Sequence, residues 1–181
     1  MTEARLLQAP QLSTPRLLLR PHRICDFEAM AAMWADPETV RYIGDGKPID
    51  QDAVWARLQR LAGSWPLLGL GVWAIEETTT GRVVGEIGFL ERRREGVERL
   101  QPEVGWGLVS DARGQGFAGE ALTAVLAWGD GRFERTICVI SPENLRSVKL
   151  AWRHGYRETG PAPSDPQPLL QFERFRPGRV G

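Results

Sequence analysis

A strand, a glycine-rich turn and an apolar helix follow one another between residues 104 and 128. Val104, Trp106 and Leu108 stand at alternate positions, which predicts a strand with one apolar face. The segment RGQGFAG at 113–119 precedes apolar residues at helical spacing, namely Ala121, Leu122, Val125, Leu126 and Trp128. The first N–H groups of a helix lack internal acceptors, and glycine lets an anion approach the backbone closely. The stretch therefore predicts a phosphate-binding turn at the start of a helix.

The glycine turn fits more than one ligand. Gly114, Gly116 and Gly119 spell G-x-G-x-x-G, the pattern of dinucleotide-binding turns. Arg113, Gly116 and Ala118 spell R-x-x-G-x-A, which resembles the acyl-coenzyme A diphosphate loop of the GNAT N-acetyltransferases. A third interpretation is a helix that begins with small residues only because they pack closely. The turn alone does not distinguish these three interpretations, so the order of the other predicted elements is needed to choose between them.

The size and charge of the chain favour some classes of protein over others. We expect 181 residues to form one domain, 1–181, with a loose lead-in at 1–12 and a C-terminal tail at 176–181. A net charge of zero favours neither nucleic acid nor an anionic membrane as a partner. The opening MTEARLLQAP has no apolar region, so we expect no secretory signal and a cytoplasmic location. No apolar run is long enough to span a bilayer.

The cysteines and histidines predict no metal site. Cys25 and Cys138 are far apart in the sequence, and two free thiols in a reducing compartment are the favoured interpretation. His22 and His154 are the two histidines, which is too few for a histidine-rich metal site. We therefore expect a protein that works without a metal.

The predicted elements run β-α-α-β-β-β-α-β-α-β-β. The predicted strands cover 16–20, 71–76, 83–90, 104–108, 136–140, 156–159 and 169–175. The predicted helices cover 26–35, 51–62, the apolar segment after the glycine turn, and 144–153. Asp26 is the expected N-cap of the first helix, which Asp36-Pro37 should end. Segments 64–69 and 160–168 are predicted to be loops, and 91–98 a solvated hairpin tip.

This order indicates an α/β chain of the α+β type with helices on both faces of its sheet. Three strands joined by short turns across 71–109 predict an antiparallel meander, so only the β-α-β unit around the glycine turn should be parallel. A dinucleotide fold would repeat that unit and place an acid ~20 residues beyond the last glycine. That position is Val139, and Glu143 comes rather late. The dinucleotide interpretation therefore loses support.

Several short motifs together resemble the RimJ/RimL-type branch of the GNAT acetyltransferases. The opening T-x-R-L-x-L-R, the D-x-x-x-(L/M) helix and a D-P-E-V-x-(R/K)-(Y/F) segment have counterparts at 14–20, 26–30 and 36–42, with Thr39 before Val40. Four later motifs have counterparts at 103–108, 113–121, 144–149 and 155–156. They are, in that order, the E-(I/V)-G-(Y/W)-x-L strand, the loop with Glu120-Ala121 after it, N-x-x-S-x-(R/K) and G-(F/Y). The resemblance extends over about 12–175. It implies a single GNAT domain whose mostly antiparallel sheet splays at the cofactor loop.

The chain departs from the family pattern at two positions. Position 119, often threonine or serine in the family, is Gly119, which lacks a hydroxyl for phosphate. Many GNAT enzymes carry a tyrosine seven residues after the asparagine as the acid for the leaving thiolate, and this chain has Ala151 there. The RimJ/RimL type commonly lacks that tyrosine too, and Ser147 is then the usual candidate.

The resemblance implies acetyl-CoA as co-substrate and assigns most of its contacts to backbone groups. The loop residues expected to hold the diphosphate are Arg113, Gly114, Gln115, Gly116, Phe117 and Ala118. The splayed strand, with Trp106, Gly107 and Leu108, should pair with pantetheine, and an amide near Leu108 should donate to the oxyanion. Asn144 could both cap its helix and contact pantetheine. Arg113 either adds charge to the loop or is an exposed residue of the turn.

The implied reaction is direct attack of a primary amine on the acetyl thioester. Glu103 is the first choice for taking the amine proton, directly or through water, although it could instead only bind the ammonium. Glu86 is the weaker rival, and Glu120 is more plausibly structural because acids favour the first turn of a helix. Ser147 is the candidate acid for the thiolate, or a residue that faces the cofactor without a chemical role.

The acceptor is the least constrained part of the assignment. Trp34 and Tyr42 are the predicted substrate-groove residues, although most large aromatics belong to the core. The family implies either the N-terminal amine of a protein or a small-molecule amine, with a homodimer possible. The alternative from another class is an acyl-CoA-binding sensor or partner module that does not catalyse transfer.

Overall fold

The computed structural model describes residues 7–91, 102–162 and 168–178. Eight strands form one sheet in the order β1-β2-β3-β4-β5-β6-β8-β7. The strands are β1 (Leu12–Ser13), β2 (Leu17–Arg20), β3 (Val72–Glu77), β4 (Val83–Glu91), β5 (Pro102–Leu108), β6 (Arg135–Ile140), β7 (Arg157–Pro161) and β8 (Leu170–Phe175). The helices are α1 (Phe27–Ala35), α2 (Pro37–Val40), α3 (Gln51–Leu68), α4 (Phe117–Asp130) and α5 (Leu145–Arg153). The predicted mixed sheet is confirmed.

The sheet opens at its centre. β3, β4 and β5 form the predicted antiparallel meander, and β6, β7 and β8 form a second antiparallel group. These two groups meet where β5 and β6 run parallel, and Glu103 opposite Ile137 is the paired position described there. Because β5 continues to Leu108 and β6 to Ile140, the two strands diverge beyond that position. The divergence is the splay that the family resemblance implied.

Side-chain alternation along the strands divides the core into two clusters. On one face, β4 supplies Ile87 and Phe89, which pack with α4 and α5. On the other face, Val72 of β3 packs with buried residues of α1 and α3, namely Met30, Met33, Trp34, Val54, Leu58 and Leu61. The sheet therefore separates an α4–α5 side from an α1–α3 side.

The predicted loop at 64–69 is wrong, because α3 continues through Pro66 to Leu68. Proline within a helix removes one hydrogen bond and usually ends the helix. Here Trp65 is fully buried, and its ring centroid lies 4.6 Å from that of Trp73 and 5.6 Å from that of Trp128. Gly69 then ends the helix in a left-handed conformation, with its N–H bonded to the Trp65 carbonyl at 2.9 Å. Burial of the tryptophan outweighs the local cost of the proline.

The N-terminal part of the described chain is more ordered than predicted. Residues 1–12 were expected to be a loose lead-in, but Leu12 pairs with Leu19 in the sheet. Ala9 is buried, and the Trp73 indole N–H donates to the Pro10 carbonyl at 2.6 Å. These contacts require partners that are remote in sequence, so the composition of the segment does not reveal them.

The predicted end of the first helix at Asp36-Pro37 is confirmed, but a short helix that was not predicted begins there. The Asp36 carboxylate accepts a hydrogen bond from the Glu38 N–H at 3.0 Å, and proline is well suited to the first turn. Asp36 is therefore an N-cap as well as the residue that ends α1. The resulting helix α2 carries Glu38 and Thr39 towards the glycine turn, where both contact Arg113.

Asp26 stands at the predicted N-cap position of α1, but its side chain does not cap the helix. Its carboxylate makes no capping bond to α1 and instead binds the buried Arg20 guanidinium through two hydrogen bonds of 2.8 Å. Both side chains are only 3% exposed, and Asp26 also accepts the Arg23 N–H at 2.7 Å. Asp26 thus fixes the connection between β2 and α1 by a buried ion pair.

The predicted loop at 160–168 is wrong at its start, because β7 continues through Gly160 and Pro161. The remaining predictions agree in type with the elements they concern, and some lie outside the described residues. Most of the hairpin tip at 91–98, most of the loop at 160–168 and the end of the C-terminal tail fall in the segments that are not described. Within the described ranges, no helix is long and apolar enough to cross a membrane.

Candidate active site

A cleft of about 1140 Å³ runs along the gap between β5 and β6. It brings together most of the residues singled out from the sequence. The lining of the cleft includes both proposed catalytic residues, the rival acid, both groove aromatics and part of the cofactor set. These are Glu103, Ser147, Glu86, Trp34, Tyr42, Trp106, Gly107 and Asn144. The end of β6 from Cys138 to Ile140, with Ser141 after it, forms the opposite wall. The cleft is large enough for a ligand of more than drug size.

The backbone of β5 presents hydrogen-bonding groups to this gap. Val109 donates its N–H to the Val84 carbonyl on β4 at 3.0 Å. Successive residues of a strand direct their backbone groups to opposite neighbours, so those of Trp106 and Leu108 face the side where β6 has diverged. The Leu108 carbonyl there accepts the Arg113 guanidinium at 3.1 and 3.2 Å. This edge of β5 is therefore arranged to bind an extended polar chain.

Glu103 and Glu86 lie on the α1–α3 side of the sheet. Glu86 is opposite Gly107, and Gly107 is four residues after Glu103, so the two acids share a face. At the rise of a β-strand their backbone positions are roughly 13 Å apart. Glu103 is 5% exposed and Glu86 6% exposed, and Glu86 forms an ion pair with Arg57 of α3. The arrangement places two buried carboxylates in one cleft, with Glu103 at the start of the splay.

Ser147 approaches the same gap from the α4–α5 side. Its hydroxyl accepts the Trp106 indole N–H at 3.3 Å. The Asn144 side chain accepts the Ser147 N–H at 3.2 Å, which confirms the predicted N-cap of α5. The cap fixes the first turn of the helix, and the indole fixes the serine oxygen against β5. Glu103 and Ser147 are thus held near the opening from opposite faces of the sheet.

The glycine turn has the backbone shape that its sequence predicts. Gly114 and Gly116 have φ values of 78° and 86°, which non-glycine residues rarely adopt, and Gly116 is the N-cap of α4. Glu120 in the first turn accepts the Arg16 backbone N–H at 2.8 Å and forms an ion pair with the Arg16 guanidinium. Arg16 also donates to the Gln115 carbonyl at 2.9 Å. The turn is therefore supported by Arg16, directly before β2, and Glu120 has the structural position expected of it.

A second, smaller pocket of about 440 Å³ adjoins this turn and is lined by Glu38, Ser110, Arg113, Gly114 and Arg146. Among the predicted cofactor residues, Leu108, Gln115, Gly116, Phe117 and Ala118 line neither this pocket nor the larger cleft. The Phe117 side chain is buried in the core, with the Arg16 guanidinium 4.7 Å from its ring centroid. Phe117 can thus offer a ligand only its backbone.

The Arg113 side chain has a structural role that neither sequence interpretation included. It is not an exposed residue of the turn, because its guanidinium bonds to the Thr39 hydroxyl at 2.6 Å and the Glu38 carbonyl at 3.2 Å, besides Leu108. These bonds join the glycine turn to α2 and to the end of β5. Arg113 therefore positions the turn while also contributing positive charge to the smaller pocket.

Two arginines of the site were missed from the sequence. Arg146 occupies the second position of α5, where a cation opposes the helix dipole and no acid is present in the first turn. That unfavourable placement was an available signal for an anionic partner. Arg57 lies within α3, and its pairing with Glu86 depends on an element 29 residues away. No local pattern indicates that pairing.

Cys138 lines the cleft next to the acids. Burial raises the pKa of its thiol, and the nearby Glu103 raises it further, so Cys138 remains protonated at neutral pH. Both cysteines are free, with Cys25 exposed and Cys138 buried. Among the described residues, no group of histidine, cysteine and acidic side chains is arranged to hold a metal ion.

A sheet that opens beside a glycine turn, with polar groups of both faces directed into the opening, is the architecture of an acyl-coenzyme A-dependent transferase. The sequence signature of the acetyltransferase (GNAT) domain matches residues 16–157. The chain belongs to the GNAT acetyltransferase family. It is an acyl-CoA-dependent acyltransferase, and acetyl-CoA is its co-substrate.

Individual relatives agree with this assignment. The N-acetyltransferase YoaA of Bacillus subtilis is 26% identical over 153 residues, which cover 83% of this chain and 85% of YoaA. A GnaT-family acetyltransferase from Bordetella pertussis is 30% identical with a TM-score of 0.79, covering 92% of this chain and 99% of its own. The ribosomal L7/L12 alpha-N-protein acetyltransferase RimL, solved with coenzyme A, has a TM-score of 0.75 at 15% identity, covering 92% and 98%. That last likeness concerns the fold alone.

Proposed function

We propose that this acyltransferase moves an acetyl group from acetyl-CoA to a primary amine by direct attack of the amine. The observation that carries the proposal is the cleft at the splay, which holds Glu103 on one face of the sheet and Ser147 on the other. The amine is proposed to reach the opening from the α1–α3 side, and acetyl-CoA from the side of the glycine turn. The two reactants then meet between β5 and β6.

The chain has groups suited to each part of acetyl-CoA. The left-handed glycines and the first amides of α4 suit the diphosphate, with Arg113 and Arg146 adding positive charge at the adjoining pocket. The edge of β5 at Trp106 suits the amides of pantetheine, and the amide near Leu108 suits the thioester oxygen, while the Leu108 carbonyl is bonded to Arg113. When bound, acetyl-CoA supplies the acetyl group as an activated thioester.

Glu103 is proposed to bind the amine and take its proton, directly or through water. It is buried in the cleft wall, and a desolvated carboxylate attracts a cationic amine strongly. Glu86 is less suited to this role because it lies on β4, whereas Glu103 lies on β5 where that strand meets β6. Ser147 accepts a hydrogen bond from Trp106, so its own hydroxyl proton remains available for the departing sulfur. General acid–base steps of this kind contribute about 10²- to 10⁴-fold in rate.

The substrate class is proposed from the family branch. The motifs at 14–20, 36–42 and 144–149 resemble the RimJ/RimL type. RimL, whose name describes a ribosomal-protein N-terminal acetyltransferase, shares the fold. A protein N-terminus or a small-molecule amine is therefore the proposed acceptor, with Trp34 and Tyr42 in the wall of its cleft.

Calorimetry with acetyl-CoA, followed by thiol release with a panel of amines and N-terminal peptides, tests the function directly. We expect saturable binding of acetyl-CoA and CoA release that depends on the amine. Binding without turnover on any amine, and without change on Glu103→Gln, would instead identify an acyl-CoA sensor. The absence of both binding heat and thermal stabilisation by acetyl-CoA would contradict the whole assignment.

Replacing Arg146 by glutamine is expected to weaken acetyl-CoA binding about tenfold, the order of one charge-assisted contact. Arg146 lines the pocket beside the glycine turn, so its charge should act on phosphate and lose effect as salt rises. Titration of acetyl-CoA at two ionic strengths measures both effects. Arg153→Gln, in the last turn of the same helix, is the matched control. Equal losses in the two variants would show that Arg146 makes no specific contact.

A further inference from the structure

Four neighbouring residues on the α1–α3 side carry buried polar atoms without partners. Trp34 Nε1, Arg57 Nε, Glu86 Oε2 and both ring nitrogens of His22 have no hydrogen-bond partner among the described residues. Buried polar groups in folded proteins almost always have partners, so five such atoms in one place call for a ligand or for ordered water. Trp34, Arg57 and Glu86 also line the cleft, which connects this cluster to the amine site.

The cluster is held in a fixed arrangement. The Arg57 guanidinium lies 4.2 Å from the centroid of the Trp34 ring, and its Nη2 binds Glu86 Oε1. Glu86 is 6% exposed and Trp34 7% exposed, so neither side chain has much freedom to turn towards solvent. Burial lowers the pKa of His22, although Glu86 and Asp26 oppose that effect, so the imidazole is neutral at physiological pH. The polar atoms are thus positioned before a ligand arrives.

The chemical character of the atoms limits what can pair with them. Trp34 Nε1 and Arg57 Nε are donors, Glu86 Oε2 is an acceptor, and the charges of Arg57 and Glu86 compensate each other. A ligand carboxylate cannot donate to the Glu86 acceptor, and a second ammonium group on the ligand cannot accept from the two donors. A neutral amide matches the set, because its carbonyl accepts from the donors and its N–H donates to the carboxylate.

We propose that Trp34, Arg57 and Glu86 form a specificity site for a neutral amide group carried by the acceptor amine. The inference rests on the proposed function, in which Glu103 receives the amine. Glu86 and Glu103 share one face with backbone positions roughly 13 Å apart, and their side chains can converge from both ends. The acceptor class is therefore an amine with an amide several bonds away, as in amino-acid amides and peptides. Simple alkylamines and polyamines lack the matching group.

Matched pairs of acceptors test the site. Linear amino amides, from glycinamide to aminohexanamide, are compared with alkylamines of equal length at equal concentrations of the neutral amine. For the unaltered protein we expect kcat/KM to favour the amide by about tenfold or more at one or more chain lengths. In Trp34→Phe the preference should fall to about twofold or less, because the change removes one donor to the amide. In Glu86→Gln the preference should fall by a smaller factor, because glutamine keeps an acceptor but loses the charge that strengthens the bond. Trp55→Phe, on α3 but outside the lining of the cleft, should retain the full preference.

Three outcomes would overturn the inference. Equal kcat/KM for both members of every pair would mean that the unpartnered atoms hold only water. A uniform loss over all acceptors in Trp34→Phe and Glu86→Gln would show a structural role without specificity. Acetyl-CoA binding without acetylation of any amine would remove the proposed function, and this inference with it. Failure of the proposed function differs from failure of this inference alone, because only the former leaves the alkylamines without acetylation as well.

Discussion

Replacing Glu103 by glutamine is expected to lower kcat/KM for acetyl transfer by about 10²- to 10⁴-fold. Glutamine keeps the size of the side chain and its hydrogen bonding but cannot take a proton or attract an ammonium group. Glu103 lines the cleft at the start of the splay, on the face from which the amine is proposed to arrive. The affinity for acetyl-CoA should stay the same, because the proposed diphosphate and pantetheine contacts do not involve Glu103. Thiol-release kinetics and calorimetry on the same preparation separate these two quantities.

The control is Glu77→Gln, at the end of β3 and outside the lining of the cleft. It should leave kcat/KM unchanged. A Glu103→Gln protein that retains nearly full activity would remove Glu103 as the base and leave the proton to water. A protein that loses acetyl-CoA affinity as well would indicate a structural role for the carboxylate in the opening.

Arg20→Leu is expected to destabilise the fold by about 3–5 kcal/mol, the usual cost of leaving one member of a buried ion pair without its partner. Asp26 would keep its charge in a site where both side chains are now 3% exposed. Urea unfolding at neutral pH measures the loss. The double variant Arg20→Leu with Asp26→Leu should recover much of it, because the buried carboxylate is gone and the other carboxylate partner of Arg20, Glu76, is 19% exposed and can be solvated.

The loss should depend on pH. Burial alone would raise the pKa of Asp26, but hydrogen bonds from Arg20 and the Arg23 N–H outweigh it and lower the pKa overall. A lowered folded-state pKa contributes stability that is present above the unfolded value, about 3.9, and is lost as the pH falls through the folded value. Without Arg20, protonation of Asp26 relieves the buried charge. The difference between Arg20→Leu and the unaltered protein should therefore begin to shrink at a pH above the unfolded value of about 3.9, where Asp26 without Arg20 takes up a proton, and should continue to shrink as the pH falls.

Arg82→Leu is the matched comparison, because Arg82 pairs with Asp111 at 2.6 Å and both side chains are more than half exposed. It should change the free energy of unfolding little, since exposed ion pairs are screened by water and salt. Similar losses in Arg20→Leu and Arg82→Leu would mean that burial of the Arg20–Asp26 pair contributes nothing special.

Local patterns were sufficient to predict the central unit of the fold. The alternation along 104–108, the glycines at 114 and 116 and the helical spacing after Phe117 each depend on neighbours within a few residues. The structure confirms a strand, two left-handed glycines and α4 in that order. The family resemblance added the splay and the placement of Glu103 and Ser147 in one cleft, which no local pattern determines.

The wrong predictions share a physical cause, which is a partner distant in sequence. Pro66 lies within a helix because Trp65 packs on Trp73 and Trp128. Asp26 stands at the N-cap position of α1, but its side chain makes no capping bond because its carboxylate binds Arg20. Arg57 belongs to the site only because α3 packs in the folded protein so that Arg57 reaches Glu86. Propensity and spacing describe the preferences of a segment, and these contacts override them after folding.

The separation of the two helical layers has a kinetic consequence. If coenzyme and amine use different entrances, neither has to leave before the other arrives. Both can occupy the protein at once, and the acetylated product can depart past α3 while coenzyme A is still bound at the glycine turn. Such a molecule would show sequential rather than ping-pong kinetics, with intersecting lines in double-reciprocal plots.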